Sequence, residues 1–246
     1  MDDYIFLSDD KIFYTIEGEG EYVGTPSVFM RLSMCNLTCK GFASADSPNG
    51  CDSFISWSFK NRMSFDEILD SFAKDGFYYR LKEGAIWKIT GGEPLIQQKK
   101  LLELVDKYIF TFKHVPRIDF ETNATIIPDY QWVHWGATFT TSPKMSNNGD
   151  PIEKRYKPEV LKWHVKHNSG FKFVINSEDD YWEMVRMYID PEDIKVPKNR
   201  IWLMPCCGSR EEHVQKAEMV ADLCKRYGYK FSPRLQLVIW DRALKV

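Results

Sequence analysis

The sequence predicts an α/β fold with a mostly parallel sheet, and three features predict it. Short β-rich runs alternate with stretches of helical period along the 246 residues. Two of the helical stretches open on N-terminal capping signals, at Ser64 and Ser177. One β-rich run, Ala85 to Thr90, ends on Gly91-Gly92, a turn that leaves backbone bare for a polar ligand. Strands separated by helices give parallel βαβ units with right-handed crossovers, and ligands collect at the carboxyl ends of such strands. Periodicity alone leaves open whether the sheet is flat or curled into a partial barrel.

In chain order, Ser27 to Leu32 is the first predicted strand. Ser64-Phe65-Asp66-Glu67 is a capping box, after which Phe65, Ile68, Leu69 and Phe72 share one helix face before Gly76. Ala85 to Thr90 is a strand and Gln97 to Tyr108 a helix with apolar Leu101, Leu102, Leu104 and Val105. Strands follow at Arg117 to Glu121, Ala137 to Thr141, Phe171 to Ile175 and Ile201 to Met204. Ser177 starts a helix through Met187, and Glu211 to Tyr227 places Val214, Ala217, Val220, Ala221 and Cys224 on one side before Gly228. Leu235 to Trp240 reads as a terminal strand. Between Thr140 and Phe171 the chain is polar and irregular, with a surface turn expected at Asn147-Asn148-Gly149-Asp150-Pro151. No repeat, low-complexity tract or linker divides residues 1–246, so one domain is expected.

Hydrophobic residues make up 43% and charged residues 28%, with a formal net charge of −2. That balance indicates neither disorder nor the basic surface of a nucleic-acid binder, and no direct nucleic-acid contact is expected. No apolar run nears the roughly 20 residues that cross a bilayer. The start, Met1-Asp2-Asp3-Tyr4, is acidic where a secretion signal is basic. The expectation is a cytoplasmic chain without membrane contact, whose six cysteines are reduced.

Cys35, Cys39 and Cys51 share one loop at about residues 33–55. Three thiolates can hold three irons of a four-iron cluster and leave the fourth iron open to bind and reduce a ligand. With a fourth ligand such as Cys206, Cys207 or a histidine they would instead make a closed tetrahedral zinc site. Other motifs surround this loop. Ile12-Phe13-Tyr14-Thr15-Ile16-Glu17-Gly18-Glu19-Gly20 and Phe29-Met30-Arg31-Leu32 precede it. Thr90-Gly91-Gly92-Glu93-Pro94, Glu121-Thr122-Asn123-Ala124-Thr125, Thr141-Ser142-Pro143-Lys144, Trp202-Leu203-Met204-Pro205 and Ser232-Pro233-Arg234-Leu235-Gln236 follow it. In these motifs and their order the chain resembles the 7-carboxy-7-deazaguanine synthases, a family of radical S-adenosylmethionine (SAM) enzymes.

The resemblance implies an incomplete (β/α) barrel of the radical SAM type, and a [4Fe-4S] cluster on Cys35, Cys39 and Cys51. Cys51-Asp52-Ser53 resembles the ending of the family's cluster motif, although eleven residues, Lys40 through Gly50, separate Cys39 from Cys51 where the family has two. The turn-rich Ser47-Pro48-Asn49-Gly50 is expected to bulge away without moving the sulfurs. Ser53 takes the position of a Mg²⁺ ligand, for which a hydroxyl is a suitable hard oxygen donor; read alone, it is a serine ending a turn.

SAM must meet a cation, two ribose hydroxyls and an adenine. Gly91 and Gly92 offer close backbone and Glu93 an acceptor for the SAM ammonium. The resemblance places Ser142 and Lys144 along SAM and Met204 at its adenine, with Cys206-Cys207 replacing the polar residues expected after Pro205. On the substrate side it implies a carboxylated tetrahydropterin. Arg31 suits its carboxylate through bidentate pairing; Ile16, Glu17 and Gly18 fall at the pterin edge, Thr90 offers a hydroxyl, and Gln236 and Val246 close the site. The chain departs from the family at Glu17 (glutamine in many members), Ala124 (glycine) and Gln236 (histidine). Without the resemblance, Arg31 and Lys144 read as surface charges.

The implied reaction is reductive cleavage of SAM to methionine and a 5′-deoxyadenosyl radical, which removes hydrogen from 6-carboxy-5,6,7,8-tetrahydropterin. Ring contraction with loss of ammonia then gives 7-carboxy-7-deazaguanine, a precursor in queuosine-type deazapurine pathways. This is a carbon–nitrogen lyase reaction needing no protein nucleophile. Implied partners are an electron donor such as flavodoxin or ferredoxin and a second copy of the chain in a homodimer. Two alternatives stay open: another radical SAM enzyme, such as a glycyl-radical activase, and a non-catalytic, metal-stabilised partner-binding protein. His164-x2-His167 and Lys154-Arg155-Tyr156-Lys157 read as solvated faces, and the aromatic residues as core and dimer packing.

Overall fold

A computed structural model describes residues 3–40, 50–51, 58, 60–241 and 243. The strands are β1 (Tyr4–Ile16), β2 (Pro26–Leu32), β3 (Asn61–Ser64), β4 (Ile86–Gly91), β5 (Ile118–Thr122), β6 (Thr138–Thr141), β7 (Gly170–Ile175), β8 (Ile201–Pro205) and β9 (Lys230–Phe231). Among the described residues they form one sheet in the order β3-β1-β2-β4-β5-β6-β7-β8-β9. β1 pairs antiparallel with both β2 and β3, and every pairing from β2 to β9 is parallel. The edge strands β3 and β9 do not pair with each other, so the sheet is not closed. This is the expected α/β class with a mostly parallel, incomplete barrel.

Helices connect and flank the strands. They are α1 (Phe65–Lys74), α2 (Phe77–Lys82), α3 (Gln98–Phe112), α4 (Tyr130–His134), α5 (Ile152–Arg155), α6 (Pro158–Lys166), α7 (Glu178–Met184), α8 (Arg210–Tyr227) and α9 (Leu235–Trp240). The capping box at α1 forms as expected: Ser64 N–H donates to the Glu67 carboxylate and Glu67 N–H to Ser64 Oγ. At α7 the Asp180 carboxylate accepts from Asn176 N and Ser177 N, and a π-helical segment, Val185–Ile189, continues that helix. Gly228, at φ 76°, ends α8 in the left-handed conformation that glycine adopts without strain.

The buried apolar side chains fall into two clusters. One packs Trp87, Ile89, Phe120, Phe139 and Trp132 against Phe72, Leu104 and Tyr108. The other packs Phe171, Phe173, Ile201 and Leu203 against Tyr181, Met184, Val220 and Leu223.

Several expectations are corrected. Leu235 to Trp240 is the helix α9; Arg234 O accepts from both Leu237 N and Val238 N, and β9 already ends that edge of the sheet. β1 and β3 arise where no strand was expected, and β1 carries a register irregularity between Leu7 and Ile12 that interrupts its period of two. The stretch after Thr141 contains α5 and α6, the latter with proline in its first turn and Val160, Leu161 and His164 buried among charged neighbours that hid the pattern. His164 is therefore a core residue, bonded through Nδ1 to Ser169 Oγ at 2.9 Å, and not part of a solvated face. Arg155 is also buried, paired with Glu183 at 3.2 Å. Val214 on α8 is exposed.

Phe120 sits between Trp132, at a ring distance of 4.7 Å, and Phe139, at 5.3 Å. Phe120→Ala should cost about 3–5 kcal/mol, read from the urea unfolding midpoint of the apoprotein.

Candidate active site

The strands that present apolar residues to the helices present polar ones to the opposite face. Alternation along β4 to β7 puts Lys88 and Thr90, Asp119 and Glu121, Thr138 and Thr140, and Lys172 on that face. Lys88 and Asp119, directly cross-strand, are both fully buried and joined at 2.6 Å. Lys88 also meets Glu17 at 2.7 Å, and Thr138 and Thr140 donate to Asp119 at 2.7 and 3.0 Å. Lys172 contacts Glu19 and, at 3.0 Å, Glu121, whose other oxygen accepts from Thr90 Oγ1 at 2.9 Å.

Burial works against each of these charges, and the ion pairs outweigh it at most of them. Against that burial, Lys172 and Lys88 hold the Glu121 carboxyl down to about 2. Lys172 and Arg234 hold that of Glu19 well below the usual carboxylate range. At Glu17 burial prevails over Lys88 and the carboxyl is pushed up.

This polar face joins the two ends of the sequence. Arg234 Nε lies 2.9 Å from Glu19, Gln236 Nε2 donates to the same carboxylate at 2.7 Å, and Gly20 N–H donates to Ser232 Oγ at 2.8 Å. Arg234 also donates to Cys207 O, and Leu235 N–H to Gly18 O at 2.9 Å. Gly18 is needed here, because a Cβ on it would fall 1.9 Å from Gln236 Oε1. Both Glu17 oxygens have internal partners, Lys88 and the Glu19 N–H. On this face Arg31 Nε and Gln236 Oε1 are buried without a hydrogen-bond partner among the described residues. Arg31 stands beside Thr90 in the β2–β4 register with Phe13 5.6 Å away, and has no carboxylate partner among the described residues.

The cysteine loop lies on the end of β4. Gly92 N–H donates to Leu32 O at 3.1 Å and Glu93 N–H to Met34 O at 2.9 Å. A Cβ on Gly91 would strike Leu32 O at 2.1 Å, and one on Gly92 would strike Met34 O at 2.0 Å. The glycines thus let the cysteine loop rest on the turn. Glu93 is fully buried and braces that turn: its carboxylate accepts from Thr122 Oγ1 at 2.9 and 3.0 Å, Asn123 N at 2.7 Å and Leu95 N at 3.1 Å. Burial nevertheless pushes it up to about 7. Asn123 Nδ2 donates to Asn36 Oδ1 at 2.9 Å and Asn36 Nδ2 to Thr125 Oγ1 at 2.8 Å, fastening the loop to the segment after β5. Ala124 there adopts φ 60°, the left-handed region, which explains why glycine suits that position. Ser142 N–H donates to Thr122 O at 2.7 Å, Lys144 Nζ to Ser142 Oγ at 2.8 Å, and Met204 is buried at the end of β8.

Cys35 lies against the Gly91-Gly92 turn, a Cβ on Gly92 falling 3.0 Å from Cys35 Cβ. Burial pushes the Cys35 thiol up to about 12, and the neighbouring charges of Glu93, Cys39 and Cys51 add to that shift. The two ends of the long insertion touch: a Cβ on Gly50, at φ 83°, would lie 2.4 Å from Lys40 Cα. Among the described residues no three His, Cys, Asp or Glu side chains form a group able to hold a single metal ion. Cluster thiolates bind different irons and stand further apart than ligands sharing one ion. Three thiols on a loop that rests on a Gly-Gly turn fit a cluster with an open iron, whose bound irons would draw the proton from Cys35. Cys206 and Cys207 are buried after β8, Cys207 Sγ lying 3.4 Å from Pro205 O. Ser53 and Val246 lie outside the described residues.

The sequence reading missed Lys88, Asp119, Lys172, Asn148 and Asp150. Charged residues alternating with Ile89, Phe120 and Phe171 inside strands were the available signal for the first three. The expected surface turn at 147–151 instead buries Asn148 and Asp150 against the cysteine loop.

An incomplete, mostly parallel barrel with this cysteine loop at its strand ends is the arrangement expected of a radical SAM protein, the class to which the relatives below point. No protein-family model matches the chain. It is 30% identical over 237 residues to a 7-carboxy-7-deazaguanine synthase of Pyrobaculum aerophilum, covering 95% of this chain and 94% of that one. It is 28% identical to a 7-carboxy-7-deazaguanine synthase of Hyperthermus butylicus, covering 93% and 91%. The crystal structure of QueE from Escherichia coli superposes with a TM-score of 0.63 at 20% identity, covering 94% of this chain and 93% of that one. The chain belongs to the 7-carboxy-7-deazaguanine synthase family.

Two predictions test the site. Gly50→Ala forces Lys40 and Cys51 apart; reconstituted protein should bind less than half the wild-type iron, by colorimetric iron and sulfide analysis. Lys88→Met leaves Glu17 and Asp119 buried without their cation, at a cost of about 3–5 kcal/mol. Urea titration should find that deficit largest at neutral pH and smaller on acidification, as the Glu17 carboxyl, already pushed up, takes a proton.

Proposed function

We propose that the chain is a radical SAM enzyme converting 6-carboxy-5,6,7,8-tetrahydropterin to 7-carboxy-7-deazaguanine with release of ammonia, a carbon–nitrogen lyase of deazapurine synthesis. The observation that carries this reading is the placing of Cys35 against the Gly91-Gly92 turn, with Lys40 and Gly50 in contact so that Cys39 and Cys51 flank one point of the loop, in a chain of this family. When bound, the cluster and SAM supply one-electron cleavage of SAM and a radical that removes hydrogen from the pterin.

The protein's contribution is binding, orientation and exclusion of water. Arg31, half-buried with its Nε unpartnered and no carboxylate against it among the described residues, suits the substrate carboxylate. Gln236 Oε1, a buried acceptor without a donor, suits a pterin N–H. Glu17 and Glu19 are held by Lys88, Arg234 and Gln236, so in this reading they shape the pterin edge, with Ile16 and Gly18, through fixed backbone and charge. Glu93 keeps the Gly-Gly turn in place for SAM, and Lys144, Ser142 and Met204 line its path. Ser53 as magnesium ligand, Val246 as a closing residue, a homodimer, a flavodoxin- or ferredoxin-type donor and a cytoplasmic setting belong to the same proposal.

Anaerobically reconstituted protein supplied with SAM, Mg²⁺, reductant and 6-carboxytetrahydropterin should form 7-carboxy-7-deazaguanine and ammonia, detected by mass spectrometry and ammonia assay. Cys51→Ala should abolish turnover, and Cys224→Ala, in the second apolar cluster, should leave it near normal. SAM cleavage without deazaguanine would point to another radical SAM reaction. Neither activity in a folded, metal-loaded protein would point to a partner-binding role.

A further inference from the structure

The loop after β6 grips the cysteine loop through side chains. Asp150, buried, accepts from Thr38 N and Thr38 Oγ1, each at 2.8 Å, one on each carboxylate oxygen. Asn148, buried, accepts from Lys40 N at its backbone oxygen at 2.7 Å. Its side-chain oxygen accepts from Asp150 N at 2.8 Å. Its Nδ2 carries two hydrogens and has two acceptors, Asp150 Oδ2 at 2.9 Å and Cys39 Sγ at 3.3 Å. Residues 38, 39 and 40 are therefore each held by the same two side chains or their backbone. Gly149 between them lets Lys40 lie across the loop, since a Cβ there would fall 2.8 Å from Lys40 Cδ.

We propose that Asn148 is a positioning residue for the iron–sulfur cluster: its amide donates a hydrogen bond to the Cys39 thiolate, fixing that ligand and raising the cluster's reduction potential. The inference rests on the reading of Cys39 as a cluster ligand. An N–H aimed at a coordinated sulfur stabilises negative charge on it, and the reduced cluster carries one more electron than the oxidised cluster. The hydrogen bond therefore favours the reduced state. The electron comes from an external one-electron donor of the flavodoxin or ferredoxin kind; Asn148 changes the potential at which it is accepted, not its source or destination. Asp150 serves a different purpose, since its bonds go to Thr38 and not to sulfur.

The test is a potentiometric titration of reconstituted holoprotein, followed by the electron paramagnetic resonance signal of the reduced cluster, with iron and sulfide measured on each sample. Wild type is compared with Asn148→Ala and with Asn148→Ser, whose hydroxyl can still accept from Asp150 N but is too short to reach Cys39. Both variants should titrate at a more negative midpoint than wild type at equal iron content. An unchanged midpoint at equal iron content overturns the proposal. Loss of the cluster from both variants also overturns it, because it would make Asn148 a requirement for assembly and not a tuning donor. A wild-type protein that takes up no cluster refutes the proposed function first, and this inference falls with it.

Discussion

A lysine removed from water must have its charge met by the protein, and at Lys88 the fold is arranged around that demand. Asp119 meets it from the neighbouring strand, Glu17 from the loop after β1 and Glu121 from further along β5. Each carboxylate is tied onward, Asp119 to β6 threonines and Glu121 to Lys172 on β7. The inner sheet face is thus a connected set of paired charges. Lys88 is fixed in turn by the hydrophobic alternation that sends Trp87 and Ile89 toward the helices. Such pairs contribute less to net stability than apolar packing does, but each partner depends on the others staying in place.

A second set of contacts serves the cysteine loop. Glu93, Asn123, Asn36 and Thr125 form a continuous chain of hydrogen bonds from the β4 turn to the loop and on to the end of β5. The loop is held from another side by Asn148 and Asp150. Residues far apart in sequence thus hold the loop that carries Cys35 and Cys39.

Much of this was legible in the sequence because short-range signals sufficed. The Ser64 box, the Gly-Gly turn, the parallel strands and the cysteine spacing each depend on a few adjacent residues. Where a segment's state depended on distant partners, the reading faltered. Leu235 to Trp240 looks like a strand until Arg234 caps it as a helix beside Gly18. Asn147 to Pro151 has turn composition, yet Asn148 and Asp150 within it are buried, Asp150 against Thr38, 112 positions earlier. β1 was obscured by its own irregularity between Leu7 and Ile12. The Cys39–Cys51 insertion departs from the family spacing in sequence, yet its two ends lie together, since Gly50 returns to Lys40.

The contact of Glu19 with Arg234 spans 215 positions of sequence. Lys172 alone would leave that carboxylate with one cation, so the loop after β1 and the segment after β9 hold each other in place across nearly the whole chain. A substitution at either end is therefore felt at the other.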